Sequence, residues 1–134
     1  MAAEEGTILA LDVGAARIGL ALASRAARLA EPYRTIANTS DSIEQLRAIC
    51  EQEEVQEIVI GLPRGLNGQD TAQTTAVREY GAQVAKVSPL PIVWQDEALT
   101  SVKAQEELER RGKPYRREDI DSLAATYILE DYLR

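Results

Sequence analysis

The chain has no histidine and a single cysteine, Cys50, in 134 residues. Without histidine, Ser-His-Asp and Cys-His nucleophilic catalysis are closed to it. Zinc sites built from His and Cys are closed as well. One cysteine makes no intramolecular disulfide, which fits a reducing compartment and predicts a cytoplasmic protein. Cys50 itself falls on a predicted helix, as a packing residue. Aromatics are only 4% of the chain, with no phenylalanine, so the core must be aliphatic. No apolar run reaches membrane length. The opening MAAEEGT has neither the basic nor the apolar region of a secretory signal, so no membrane partner is expected. Positive charge is also scarce: 15 Lys and Arg against 22 Asp and Glu, a formal charge of -7 and a pI of about 4.7. That balance argues against a protein that coats nucleic acid, but not against one that grips it through a local patch. What remains for chemistry is carboxylates, lysine, hydroxyls, or a hard metal ion held by oxygen ligands.

The length suits one domain over residues 1–134, with a single substantial core. Thr7–Val13 and Ile18–Ser24 read as buried strands joined by a tight turn, and Glu31–Ala37 as an edge-like strand with Pro32 near its start. Ser40 or Asp41 offers a helix N-cap, and Glu44 completes a box-like spacing from Asp41. The helix that follows puts Ile43, Leu46, Ile49 and Cys50 on one face. Glu57–Gly61 is a short buried strand, LPRGLNGQD a loop, and Asp70 or Thr71 the cap of a second helix striped by Val77, Tyr80, Val84 and Val87. Pro91–Trp94 is a fifth strand; a third helix follows Thr100. Ile120, Leu123, Ala124, Tyr127 and Ile128 trace a last amphipathic helix. Consecutive strands form an antiparallel meander, and each later strand follows a helix, so right-handed crossovers add it in parallel. The expected fold is α/β, a five-stranded mixed sheet of three antiparallel and two parallel strands flanked by helices.

Three acidic spots fall at the ends of these elements. Asp12 ends the first strand, Asp96 and Glu97 follow the fifth, and Asp119 and Asp121 open the last helix. Parallel strands present their carboxyl ends on one edge, where ligands usually sit. Asp12 and Glu97 meet there, and Asp121, beside Ile120 at the border of the apolar face, turns toward the sheet. Clustered carboxylates repel one another unless a cation lies between them. Mg²⁺ or Mn²⁺ is the expected cofactor, since both favour oxygen ligands. Two such ions, roughly 3.5–4 Å apart, clamp a phosphodiester and deprotonate a water without histidine. Glu97 is preferred over Asp96 as ligand, with Asp96 as a structural acceptor. The plain alternatives are a turn-capping Asp12, ordinary loop acids at 96 and 97, and acids that favour the helix dipole at 118, 119 and 121.

Four segments carry a resemblance. DVGAARIGLALA resembles an opening D-x-G-x-x-x-I-G-x-A motif, IVIGLPRGLNGQ a G-L-P loop, WQDEALTSVKA a D-E-R-x-T-[ST] segment, and DIDSLAATYILEDYL a closing D-[SA]-x-A-A helix. Together they resemble the YqgF/RuvX family, described as Holliday-junction resolvases and as pre-16S rRNA nucleases. The match runs from Ile8 to Leu133. The order of elements likewise resembles the ribonuclease H-like arrangement. The resemblance implies that fold and a metal-dependent nuclease, with Asp12, Glu97 and Asp121 as catalytic residues and metal ligands. The partner it implies is nucleic acid, RNA favoured and branched DNA the alternative, with monomer and dimer both open. One position departs: the family has arginine after the D-E pair, and this chain has Ala98. Arg17 and Arg64 are the candidates to contact phosphate in its place.

Arg110, Arg111, Lys113, Arg116 and Arg117 put five basic residues into the eight of RRGKPYRR, with Tyr115 among them. Arginines bind phosphate bidentately and tyrosine stacks on bases. The segment is expected to contact nucleic acid; otherwise Arg110 and Arg111 complement a helix C-terminus. Two other classes of function compete with the nuclease. A phosphotransferase of the actin and sugar-kinase type shares the D-x-G hairpin but needs a second lobe. A non-catalytic module of the same fold has no need of the three acids.

Overall fold

The computed structural model describes residues 6–97 and 100–134, with side chains for all of these but Glu97 and Thr100. Five strands and four helices follow in order: β1 (Thr7–Val13), β2 (Arg17–Ser24), β3 (Glu31–Ala37), α1 (Ser42–Gln52), β4 (Val55–Pro63), α2 (Ala72–Val87), β5 (Ile92–Glu97), α3 (Thr100–Arg111) and α4 (Arg117–Leu133). The sheet order is β3-β2-β1-β4-β5. β1, β2 and β3 pair antiparallel; β4 joins β1, and β5 joins β4, in parallel. This is the expected mixed sheet. β4 and β5 both run past their expected ends, because their parallel ladder continues through Leu62↔Asp96 and Pro63↔Glu97, and β4 also starts earlier, at Val55, paired with Thr7 of β1. Main-chain pairing there overrides the polar side chains of QDE.

Period-two alternation sorts the strand residues between two cores. Leu9, Leu11, Val13, Ile18, Leu20 and Ile60 face α1 and α2, with Val77, Tyr80 and Val84. Ile8, Ala10, Ala21, Ala23 and Val59 face α4. Alanines dominate this second layer, so α4 lies close on the sheet. α4 is also covered on its far side: Leu123 and Ala124 pack on Ala104 and Leu108 of α3, while Ala125, Ile128 and Leu129 pack on the sheet. The expected single apolar stripe is therefore split between two partners, and Ile120 and Tyr127 are only partly buried. Each fully buried Leu or Ile contributes about 1.5–3 kcal/mol.

Thr71 caps α2 as expected, accepting a hydrogen bond from the Thr74 amide at 3.3 Å. Asp41 does not cap α1 with its side chain; its backbone is helical, and the Ser42 amide turns back to the Thr39 carbonyl instead. Among the described residues no helix is long and apolar enough to cross a membrane.

Candidate active site

The β1–β2 hairpin builds the corner of the site. Val13 pairs with Ile18, and the Gly14 amide closes the turn on the Arg17 carbonyl at 2.8 Å. Asn38, just past β3, clamps the same turn. Its side-chain amide donates to the Gly14 carbonyl at 2.8 Å and its backbone amide to the Ala16 carbonyl at 2.9 Å. Asp12 stands one residue before the end of β1, half-buried, in phase with Ala10 on the face that α4 covers.

Across the ladder from Asp12 is Gly19. A Cβ built on Gly19 would run into the Asp121 carbonyl and lie 2.9 Å from the Ser122 nitrogen. Gly19 is thus the opening through which the α4 backbone comes down onto β2. The backbone of Asp121 therefore sits over the strand next to Asp12's, above the residue that pairs with Asp12. Thr35, paired with Gly19 from the other side, fastens the first turn of α4, its hydroxyl donating to the Glu118 carbonyl at 2.7 Å. Asn38, Gly19 and Thr35 were not marked as site residues by sequence reasoning. Gly19 alone carried a signal, inside the I-G of the first motif.

The Asp121 side chain is well shielded, at 15% exposed. Its carboxylate accepts from Arg17 Nε at 2.5 Å. That bond, with the attraction of the carboxylate behind it, holds the Arg17 guanidinium above its ordinary pKa. Arg17, at the start of β2, is in phase with Gly19 on the α4 face. Glu97, the third expected acid, closes β5 opposite Pro63. Its backbone is on the edge where β1 and β4 also end. Ala98, the departure from the family pattern, lies outside the described residues.

Among the described residues no group of three acids is ready-made for a metal ion. The donor set is nonetheless the kind Mg²⁺ or Mn²⁺ requires, carboxylate oxygens alone. Asp12 and Asp121 converge on Gly19, and position 97 ends on the same edge.

Asp96 is exposed and accepts from Arg64 Nε at 3.4 Å. Arg64 also pairs with Asp70, and Arg78 reaches Asp70 at 2.5 Å. The hydrogen bond from Arg78, with Arg64 beside it, holds the Asp70 carboxyl below its ordinary range.

The basic segment divides in two. Arg110 and Arg111 are the last residues of α3, and both pair with Glu107, at 2.8 and 2.9 Å. Gly112, at φ 72°, ends the helix. Lys113, Arg116 and Arg117 are exposed and, among the described residues, make no ion pair. The Arg116 amide donates to Asp119 at 2.9 Å and so starts α4. Tyr115 is tied down by Glu109 at 3.2 Å and packs beside Leu108 and Leu123. A cleft of about 710 Å³ opens between this loop and β3, lined by Arg111, Lys113, Tyr115 and Arg116 on one wall and by Tyr33 and Arg34 on the other.

A family model described as "RuvX: Holliday junction resolvase" matches residues 6–134. The chain belongs to the RuvX family. A relative from Maridesulfovibrio salexigens, named as a candidate pre-16S rRNA nuclease, is 38% identical over 130 residues, 94% of this chain and 96% of that one. A relative of the same name from Chloroflexus aggregans is 40% identical over 133 residues, 96% of this chain and 94% of that one. Among solved structures, Thermus thermophilus RuvC bound to a Holliday junction superposes with a TM-score of 0.53 at 14% identity, covering 92% of this chain and 91% of that one. At that identity the likeness speaks for the fold, which is ribonuclease H-like. As a RuvX protein the chain is a nuclease.

Proposed function

We propose that this RuvX protein is a divalent-metal-dependent nuclease that hydrolyses phosphodiester bonds in RNA, in the cytoplasm, with precursor ribosomal RNA as the substrate class. The observation that carries the reading is the convergence of Asp12 and Asp121 at Gly19, on the sheet edge where β5 ends at position 97. Asp12, Asp121 and Glu97 would hold the metal. When bound, it would supply a Lewis acid for the phosphate and a water of lowered pKa. The chain's own part is to fix those carboxylates through the clamped hairpin and the seated α4. Lys113, Arg116 and Arg117, with Arg110 and Arg111 behind them, would draw the phosphate backbone toward the edge. Arg64, already beside Asp96, would stand in for the arginine that the family pattern has at position 98.

RNA is favoured over a junction because the relatives are named for ribosomal RNA and because an acidic chain with one basic loop offers little surface for four DNA arms. The family model's description favours the second reading, a junction resolvase. A cleavage panel of structured RNA, single-stranded RNA and four-way junctions, each with Mg²⁺ and with Mn²⁺, separates them. EDTA abolishes the activity, and Asp12→Asn, Glu97→Gln and Asp121→Asn each remove most of it with the fold intact. Full cleavage by Asp12→Asn refutes the mechanism, and efficient junction cleavage without RNA cleavage reverses the substrate.

A further inference from the structure

The cleft of about 710 Å³ between the α3–α4 loop and β3 stands out from an acidic chain: its lining sets Arg34, Arg111, Lys113 and Arg116 against Glu118 and Asp119. Several of these charges are already engaged. Arg111 pairs with Glu107 at 2.9 Å, and the Asp119 carboxylate accepts from the Arg116 amide at 2.9 Å. Arg34 lies over its own neighbour, its guanidinium 4.9 Å from the centre of the Tyr33 ring and donating to the Tyr33 hydroxyl at 2.9 Å. Glu118 is exposed and attracts Arg17 from the far side. That leaves Lys113 and Arg116 as the exposed cations of the lining outside any ion pair among the described residues, both on the loop wall. The apolar part of the lining is Leu108, Leu123 and the half-buried Tyr115, which Glu109 holds at 3.2 Å. The opposite wall is β3, the end strand of the sheet, one edge of which faces no other strand.

We propose that this cleft is a subsite for an unpaired stretch of the RNA, its backbone on Lys113 and Arg116 and a base on Tyr115, and that it selects single-stranded over paired substrate; this rests on the RNA-nuclease reading and deepens it by naming the strand class. The cleft falls in the range of roughly 300–1,000 Å³ that suits a small molecule, the size class of a nucleotide and not of a duplex. A duplex keeps its base faces stacked inside and offers a protein mainly its backbone, which calls for cations alone. An unpaired strand offers base faces as well, and these call for an aromatic or apolar surface. Here the two kinds of surface are side by side, open cations next to Tyr115. The cleft is also placed to feed the acids. Thr35 lines it and pairs with Gly19, which pairs with Asp12, so it opens two strand spacings, about 10 Å, from Asp12. A strand lying in it reaches the sheet edge within a few nucleotides. Lys113 and Arg116 then supply affinity for any nucleic acid, and Tyr115 supplies the preference for an unpaired one.

The test is fluorescence anisotropy on the full chain in EDTA, so that nothing is cut, with labelled oligouridine alone and with the same strand paired to oligoadenosine. Wild type binds the single strand roughly tenfold or more tightly than the duplex. Tyr115→Leu keeps an apolar side chain but has no ring; it lowers affinity for the single strand roughly tenfold and leaves the duplex within a few-fold. Tyr115→Phe keeps the wild-type preference, although the bond to Glu109 is lost. A merely structural Tyr115 moves both RNAs together. Should Tyr115→Leu not fold, photocrosslinking of a 4-thiouridine strand to wild type decides the matter: adducts fall on the α3–α4 loop or β3, and adducts confined to other surfaces overturn the proposal. Equal affinity for the two RNAs, or a strand preference that survives loss of the ring, overturns it too. Metal-dependent cleavage by the same proteins reports separately on the nuclease reading, which stands if RNA is cut without strand preference. Neither binding nor cleavage of either RNA overturns both.

Discussion

Replacing Gly19 with alanine puts a single methyl group between the sheet and the helix that carries Asp121. The added carbon would overlap the Asp121 carbonyl and come within 2.9 Å of the Ser122 nitrogen, both backbone atoms of α4. Neither can swing away as a side-chain tip would. The helix must back off by on the order of 1 Å to restore ordinary contact. It is held where it is by Ala10, Ala21 and Ala125 in one layer, by α3 behind it, and by the Thr35–Glu118 bond. Overpacking a core costs about 1–3 kcal/mol, and the backbone-to-backbone clash puts this change at the upper end. For a domain of this size that is a fall in Tm of roughly 8–12 °C. Activity suffers more than stability, because a misplacement of about 1 Å in a reacting group costs on the order of a hundredfold. Gly81→Ala is the control on the opposite face. Its methyl would meet the Trp94 ring, 2.9 Å from Cζ2, but Trp94 is 40% exposed and has room to tilt outward. Thermal melts and single-turnover cleavage of one RNA, run on both variants, decide the matter. Gly19→Ala loses stability and nearly all cleavage; Gly81→Ala, inside α2 where alanine is the better helix former, keeps cleavage. Wild-type cleavage by Gly19→Ala refutes the claim that this contact sets the position of Asp121.

The exposed cations at the start of α4 and the half-buried thiol give two further expectations. Arg116→Ala together with Arg117→Ala weakens RNA binding similarly across sequences and flattens the log–log salt dependence by up to about one unit per lost contact, while Mn²⁺ binding is unchanged; fluorescence anisotropy from low to moderate salt reads both, and an unaltered slope removes the loop from the interface. Burial pushes the Cys50 thiol up from 9.0 to about 11, so at pH 8 it reacts with a disulfide reagent roughly a hundredfold more slowly in the folded protein than in urea. Because the folded state keeps that proton longer, this group's contribution to stability falls as pH rises from 9.0 toward about 11. Equal labelling rates in the two states contradict the burial.

The sheet was legible in the sequence because its strands are apolar runs separated by turn residues, and the sheet order follows from which strands have a helix between them. The ends of β4 and β5 were not legible. β4 ends in the turn-like Gly61-Leu62-Pro63 and β5 in the polar Gln95-Asp96-Glu97, and only the parallel ladder between them shows that the chain stays extended as far as Pro63 and Glu97. Asp41 looked like a cap in sequence, but spacing does not set backbone angles, and Asp41 is already helical. The RRGKPYRR run looked like one basic patch. Helical geometry divides it, because Arg110 and Arg111 lie three and four residues past Glu107 and turn back onto it. The acids were legible as types at the ends of elements; their company was not. Arg17 and Asp121 are 104 positions apart, and their bond depends on α4 seating over a glycine of β2. No local pattern encodes that approach. A lone Arg before I-G reads equally well as a solvated arginine or as a phosphate contact until the helix is placed. With α4 seated, the Arg17 charge has a sheltered carboxylate as its partner as well as solvent. The electrostatic balance of the site is therefore a property of the fold.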